Sequence, residues 1–140
     1  MKVAIGCDHG GIDLKNTVVS VLADLGHEVN DQGCNSTDSV DYPDFAKSVS
    51  ALVKKGKCQC GILICGTGIG MSMSANRVPG IRAALCNEMF SAKMSREHND
   101  ANVLCLGARV IGPGLATEIV RTWMTSTFAG GRHQRRIDMF

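Results

Sequence analysis

No apolar run in this sequence approaches the ~18 residues that a transmembrane helix requires, so a membrane-spanning segment is excluded and no membrane partner is expected. Met1-Lys2-Val3-Ala4-Ile5-Gly6-Cys7 holds neither the apolar stretch nor the cleavage site of a secretory signal, which favours a cytoplasmic protein. Excess charge is equally scarce. The net charge is +2, and residues 130–140, with Arg132, Arg135 and Arg136 against Asp138, account for all of it. An otherwise neutral chain has no electrostatic footprint for nucleic acid. Internal repeats, low-complexity tracts and linkers are also missing. What is present, 140 residues of which 44% are hydrophobic, suffices for one domain, residues 1–140, that folds without metal or disulfide.

Seven cysteines cannot all pair with one another, and without a signal segment they are expected as free thiols. Cys7, Cys86 and Cys105 lie in or beside apolar runs, where cysteine behaves as a small hydrophobe. Cys58 and Cys60 form a C-x-C pair, but no second pair follows at zinc-like spacing, so no metal site is expected. Met71, Met73, Met89 and Met94 read as packing residues rather than a cofactor box.

Short apolar runs alternate with helical patterns. Strands are expected at Val3–Ile5, at His27–Asp31, at Gly61–Ile64, at Ile81–Leu85 and at Asn102–Leu106. Helical spacing marks Gly11 to Leu25, with Leu14, Val18, Val21, Leu22 and Leu25 on one face, and Tyr42 to about Gly56, with Pro43 near its start. Further helices are expected over Ser72–Asn76, Asn87–Glu97 and Leu115–Thr127. The pattern specifies an α/β fold, a three-layer α/β/α arrangement around a parallel sheet of Rossmann-like type. Ligands of such sheets bind beyond the carboxyl ends of the strands. Cys7-Asp8-His9-Gly10-Gly11 follows the first strand, Cys65-Gly66-Thr67-Gly68 the third and Gly107-Ala108-Arg109 the fifth. His98-Asn99-Asp100 precedes the fifth strand, so topology brings it to the opposite edge unless its helix is short or a partner chain supplies it.

The loop Cys65-Gly66-Thr67-Gly68-Ile69-Gly70-Met71 leads from a buried strand into a helix, where unpartnered N–H groups and the helix dipole favour negative charge, a thiolate included. Three familiar loops are absent. A P-loop needs a lysine, and none lies between Lys57 and Lys93. A dinucleotide fingerprint needs G-x-G-x-x-G in the first βα turn, whereas here the third glycine comes one residue early and after the third strand. A thiol phosphatase needs arginine where Met71 stands. A thiol with N–H donors and no local cation suits an oxyanion formed during reaction better than a phosphate dianion.

Asp8-His9-Gly10-Gly11, Cys65-Gly66-Thr67-Gly68-Ile69-Gly70, His98-Asn99-Asp100-Ala101-Asn102-Val103, Leu106-Gly107-Ala108-Arg109-Val110 and Gly130-Gly131-Arg132-His133-Gln134-Arg135-Arg136 occur in this order. Together they resemble the B-type ribose-5-phosphate isomerases from residue 1 to about residue 138. The resemblance implies a five-stranded parallel sheet and a homodimer with active sites between subunits, alone or paired into a tetramer. It also implies interconversion of ribose 5-phosphate and ribulose 5-phosphate without metal or organic cofactor.

Aldose–ketose isomerisation moves a proton from C2 to C1 through an enediol, so it needs a base, a proton relay for the oxygens and donors for the enediolate. Cys65 matches the family's base. The carboxylate that replaces it in some members has no counterpart here, where Ser72 and Asn76 occupy that region. Thr67 would bond the thiol or the sugar hydroxyls, and the N–H groups of Gly66, Gly68, Ile69 and Gly70 would receive the oxyanion. His98 matches the acid/base that opens the sugar ring, and Asn99 a substrate contact. Asp8 would hold a hydroxyl. His9, Arg109, Arg132 and Arg136 match the phosphate contacts, for which guanidinium forks are well shaped. His133 is a weaker candidate, and His27 is left outside the site. Two alternatives stand beside this reading: an isomerase of a 6-carbon sugar phosphate such as allose or galactose 6-phosphate, and a non-catalytic module that binds a phosphorylated ligand.

Overall fold

A computed structural model describes residues 1–140 and contains five strands: β1 (Lys2–Cys7), β2 (Glu28–Asp31), β3 (Cys60–Cys65), β4 (Ala83–Leu85) and β5 (Val103–Gly107). Between and after them come helices α1 (Ile12–Asp24), α2 (Tyr42–Lys54), α3 (Ile69–Ala75), α4 (Met89–Glu97), α5 (Pro113–Thr125) and α6 (Arg132–Ile137). All strand pairs are parallel, in the order β2-β1-β3-β5-β4. The chain steps outward from β1 to β2, then returns across β1 to add β3. That reversal leaves a crevice at the carboxyl ends of β1 and β3, the place where open parallel sheets take ligands.

Side-chain alternation assigns each face of the sheet to its helices. Val3, Ile5, Cys7, Ile62, Ile64, Leu104 and Leu106 join α1 and α5 in one core, with Trp123 buried in it. Ala4, Leu63, Cys65, Val103 and Cys105 point the other way, toward α2 and α3. The strands read as continuous apolar runs because both faces are covered. Helix α2 sits so close to the sheet that a Cβ on Gly61 would lie 2.6 Å from Val49 Cγ1.

Several boundaries differ from the sequence expectation. Helix α3 starts at Ile69 rather than Ser72, because Gly68 turns the chain in a left-handed conformation (φ 77°) directly into it. Strand β4 is reduced to Ala83–Leu85, and the Asn102 and Asn76 side chains accept the N–H groups of Arg82 and Ala83 where the ladder starts. Helix α4 begins at Met89, where the Glu88 carboxylate accepts the N–H groups of Phe90 and Ser91. The C-terminal segment forms helix α6, which has only Ile137 and His133 buried and therefore no apolar periodicity to reveal it. Of the four methionines expected to pack, Met71 is buried, but Met73 and Met89 are exposed because they fall on the outer sides of α3 and α4.

Candidate active site

Parity along β3 directs Cys65 to the α3 side of the sheet, and the loop that follows folds back over it. The Gly68 N–H donates to Cys65 Sγ at 3.1 Å. Only glycine fits at 68, because its positive φ suits no other residue well and a Cβ would lie 2.6 Å from Leu85 Cδ1 and 2.9 Å from the Leu106 carbonyl carbon. Thr67 Oγ1 accepts the Ile69 N–H at 3.3 Å, which orients the hydroxyl within its own loop and leaves its O–H to donate. The Tyr42 ring packs against Gly70: a Cβ there would overlap it at 2.6 Å. Sequence reasoning placed Tyr42 only at a helix start, and no sequence signal reveals that it walls the glycine loop.

Neighbouring strand ends complete this half of the site. Asp8 N–H donates to the Ile64 carbonyl at 3.1 Å, which ties the β1 exit to β3, and the buried Asp8 carboxylate accepts the Gly10 N–H at 2.9 Å. Ala108 and Arg109 donate their N–H groups to the Cys65 and Gly66 carbonyls, each at 2.9 Å. The guanidinium of Arg109 thereby lies over the loop, with Nη1 3.5 Å from where a Gly66 Cβ would be and Nη2 3.6 Å from the same point on Gly10. His9 Nδ1 accepts the Val40 N–H at 3.3 Å, an arrangement that leaves Nε2 free for a ligand. The loop that brings Val40 there is anchored by the buried Lys15 ammonium, which bonds both Asp31 carboxylate oxygens, the Cys34 carbonyl and Asn35 Oδ1 at 2.9–3.0 Å.

The remaining candidates stand elsewhere. Helix α4 runs back across the sheet, so His98, at its C-terminus, reaches the amino ends of the strands, as topology suggested. There its ring stacks on His133 with centroids 4.2 Å apart and an 8° tilt. Burial lowers the His133 pKa from its ordinary value, and His98, Arg132 and Arg136 add to the effect. Arg132 and Arg136 are exposed on α6, four residues apart and thus on one face of it. Five residues of strand separate this group from Cys65, on the order of 15 Å at the usual rise. One chain therefore brings together Asp8, His9, Cys65, Thr67 and Arg109, and separately His98, Asn99, Arg132, His133 and Arg136. None of its four cavities includes Cys65 in its lining.

Five of the other thiols are unsuited to proton transfer near neutrality. Burial pushes Cys7 up to about 12 and Cys60 up to about 11, and raises Cys58, Cys86 and Cys105 as well. No helix is long and apolar enough to cross a membrane.

The chain matches the Ribose/Galactose Isomerase family over residues 3–140. It is 56% identical over 138 residues to a putative sugar phosphate isomerase, YwlF, of Bacillus subtilis, covering 98% of this chain and 93% of that protein. To ribose-5-phosphate isomerase B of Escherichia coli it is 49% identical over 137 residues, covering 98% and 92%. The solved ribose-5-phosphate isomerase B of Clostridium thermocellum superimposes with a TM-score of 0.98 at 54% identity, covering 99% of this chain and 94% of that one. With a parallel sheet, a switch-point thiol loop and near full-length likeness, the chain belongs to the Ribose/Galactose Isomerase family and is a sugar-phosphate isomerase of the ribose-5-phosphate isomerase B type.

Proposed function

We propose that this protein interconverts D-ribose 5-phosphate and D-ribulose 5-phosphate, a reaction of the pentose phosphate pathway, as a cytoplasmic homodimer with shared active sites. Residues 1–140 act as one catalytic domain, without metal or organic cofactor. The observation that carries the reading is the Cys65 thiol at the β1/β3 switch point, held by the Gly68 N–H and flanked by Asp8, His9 and Arg109.

Cys65, as thiolate, takes the proton from C2 of the open-chain aldose. The electron pair moves to the C1 carbonyl oxygen, giving an enediolate whose charge faces the N–H groups of Gly66 and Gly70, with those of Gly68 and Ile69 shared with Cys65 Sγ and Thr67 Oγ1. The thiol then returns a proton to C1 while the C2 hydroxyl proton passes to the C1 oxygen, so that C2 becomes the carbonyl, C1 carries the hydroxyl and the ketose results. His98 opens the furanose beforehand, with Asn99 beside it contacting the sugar and Asp8 accepting a hydroxyl. His9, Arg109, Arg132 and Arg136 hold the phosphate, and that remote binding positions C1 and C2 at the sulfur.

A second copy is the natural source of the distant residues, because a partner related by two-fold symmetry can set its His98–Arg136 face over the Cys65 loop. Ile69 and Met73 on α3 support this: they are 46% and 66% exposed, an apolar surface adjoining the thiol loop.

The test is conversion of ribose 5-phosphate by EDTA-treated protein, alongside Cys65→Ala and with allose and galactose 6-phosphates as competitors. Wild type is expected to turn over the pentose preferentially, and Cys65→Ala to lose about 10²–10⁴-fold in kcat while still binding substrate. Undiminished activity in the variant sinks Cys65 as base, dependence on added metal sinks the cofactor-free chemistry, and preference for a hexose phosphate moves the substrate to the 6-carbon class.

A further inference from the structure

Arg82 stands immediately before β4, at the amino edge of the sheet, and reaches the turn that follows His98. Its Nε donates to the Asn99 carbonyl at 3.0 Å and the Asp100 carbonyl at 3.1 Å, and its Nη2 to the Asp100 carbonyl at 2.8 Å and carboxylate at 2.9 Å. Its backbone binds the same segment, with N–H donating to Asn102 Oδ1 at 2.8 Å and carbonyl accepting the Asn102 N–H at 3.0 Å. Asp100 occupies the left-handed region (φ 45°), where a short polar side chain is best tolerated. Its second carboxylate oxygen lies 3.5 Å from Arg96 Nη1, and Arg96 also donates to the Ala101 carbonyl.

The last α4 carbonyls, from Met94 to Glu97, accept backbone N–H groups, so the Arg82 fork serves the two carbonyls just beyond the helix, as an arginine can at any helix end. That much serves any helix. What distinguishes this turn is its content: His98 caps α4, and Asn99 is the next residue. The left-handed Asp100 fixes the direction in which the chain leaves the helix, two residues after the imidazole that stacks on His133.

We propose that Arg82 is a positioning residue for ring opening: by clamping the Asn99–Asp100 turn it holds His98 in line with the ring oxygen of the substrate. The inference rests on the role given to His98 above. In ring opening the C1–O4 bond breaks, its electron pair goes to O4, and His98 gives O4 a proton. The C1 hydroxyl passes its proton to water as the carbonyl forms, and His98 regains one from water. A misplaced imidazole slows this step and leaves the enediolate chemistry at Cys65 untouched.

Ribulose 5-phosphate separates the two steps, because its carbonyl is at C2 and the oxygen needed for a five-membered ring, O5, is esterified. It is always open-chain, so exchange of its C1 proton with deuterium oxide requires Cys65 but no ring opening. Arg82→Gln is expected to lower kcat for ribose 5-phosphate about tenfold or more, the cost of a misplaced proton donor, while C1 exchange stays within about twofold of wild type. Asp100→Asn should show the same split with smaller amplitude, and Arg82→Lys should recover part of the loss. An equal fall in both rates, or a fall in neither, overturns the inference by making Arg82 a residue of folding or of none of these steps. His98→Asn in the same assays isolates the underlying reading: if it spares ribose 5-phosphate turnover, His98 is not the ring-opening group. If it shows the selective loss and Arg82→Gln does not, only the clamp fails.

Discussion

The two ends of the sheet carry different kinds of machinery. At the carboxyl end, Cys65 is 5% exposed, its loop is fixed by backbone hydrogen bonds, and glycines stand where any side chain would collide. At the amino end, Arg132 and Arg136 extend from a six-residue helix into solvent, and His98 is half-buried against another imidazole. The contrast suits two tasks. Removing a proton from carbon requires donors held rigidly around a developing charge, whereas gripping a phosphate tolerates long side chains that settle after contact. On the function proposed above, neither end alone is a complete site.

Mixing variants is the most direct way to break that division. Cys65→Ala and His98→Asn should each be nearly inactive alone, yet equal mixtures allowed to exchange subunits should recover about a quarter of wild-type activity, since random pairing makes half the dimers hybrid and each hybrid has one intact site. No recovery in the turnover assay would mean that one chain provides both groups. A smaller effect is expected from Arg136→Gln, which loses a charge-assisted bond worth about 1.5–3 kcal/mol and should raise KM for ribose 5-phosphate roughly tenfold to a hundredfold with kcat little changed. Equal losses in kcat would place Arg136 in the chemical step.

The smallest effect concerns stability. His133 titrates below its ordinary 6.5 in the folded chain, so between 6.5 and its lower native value the unfolded chain binds more protons. Its contribution is complete above 6.5 and is lost as pH falls through that window. Thermal midpoints should therefore drop between about pH 7.5 and about pH 5.5, and His133→Gln should flatten the decline, leaving the like-signed share of His27. An unchanged slope in the variant would remove His133 as the cause.

How far these features can be read from the chain depends on whether local pattern or distant packing produces them. The buried strands were legible because both faces are covered and the apolar runs are short. Lys15 was not: it lies on the apolar face of α1 and is 1% exposed, yet nothing local announces that Asp31, Cys34 and Asn35 converge on it. Helix α6 escaped for a related reason, since a segment with little buried surface leaves no period to detect. Thr67 was seen as a candidate, but its bond to the Ile69 N–H depends on the turn that Gly68 makes.

By itself the sequence determined the alternation of strands and helices, the glycine-lined thiol loop and the five motifs of the family, all of which follow from short-range spacing and residue chemistry. Strand order belonged to the tertiary structure. Only the return of the chain across β1 makes the carboxyl ends of β1 and β3 neighbours, and only the full crossing of α4 sends His98 to the other end. Spacing along a chain fixes which residues share a face, but long-range packing alone decides which faces and edges meet.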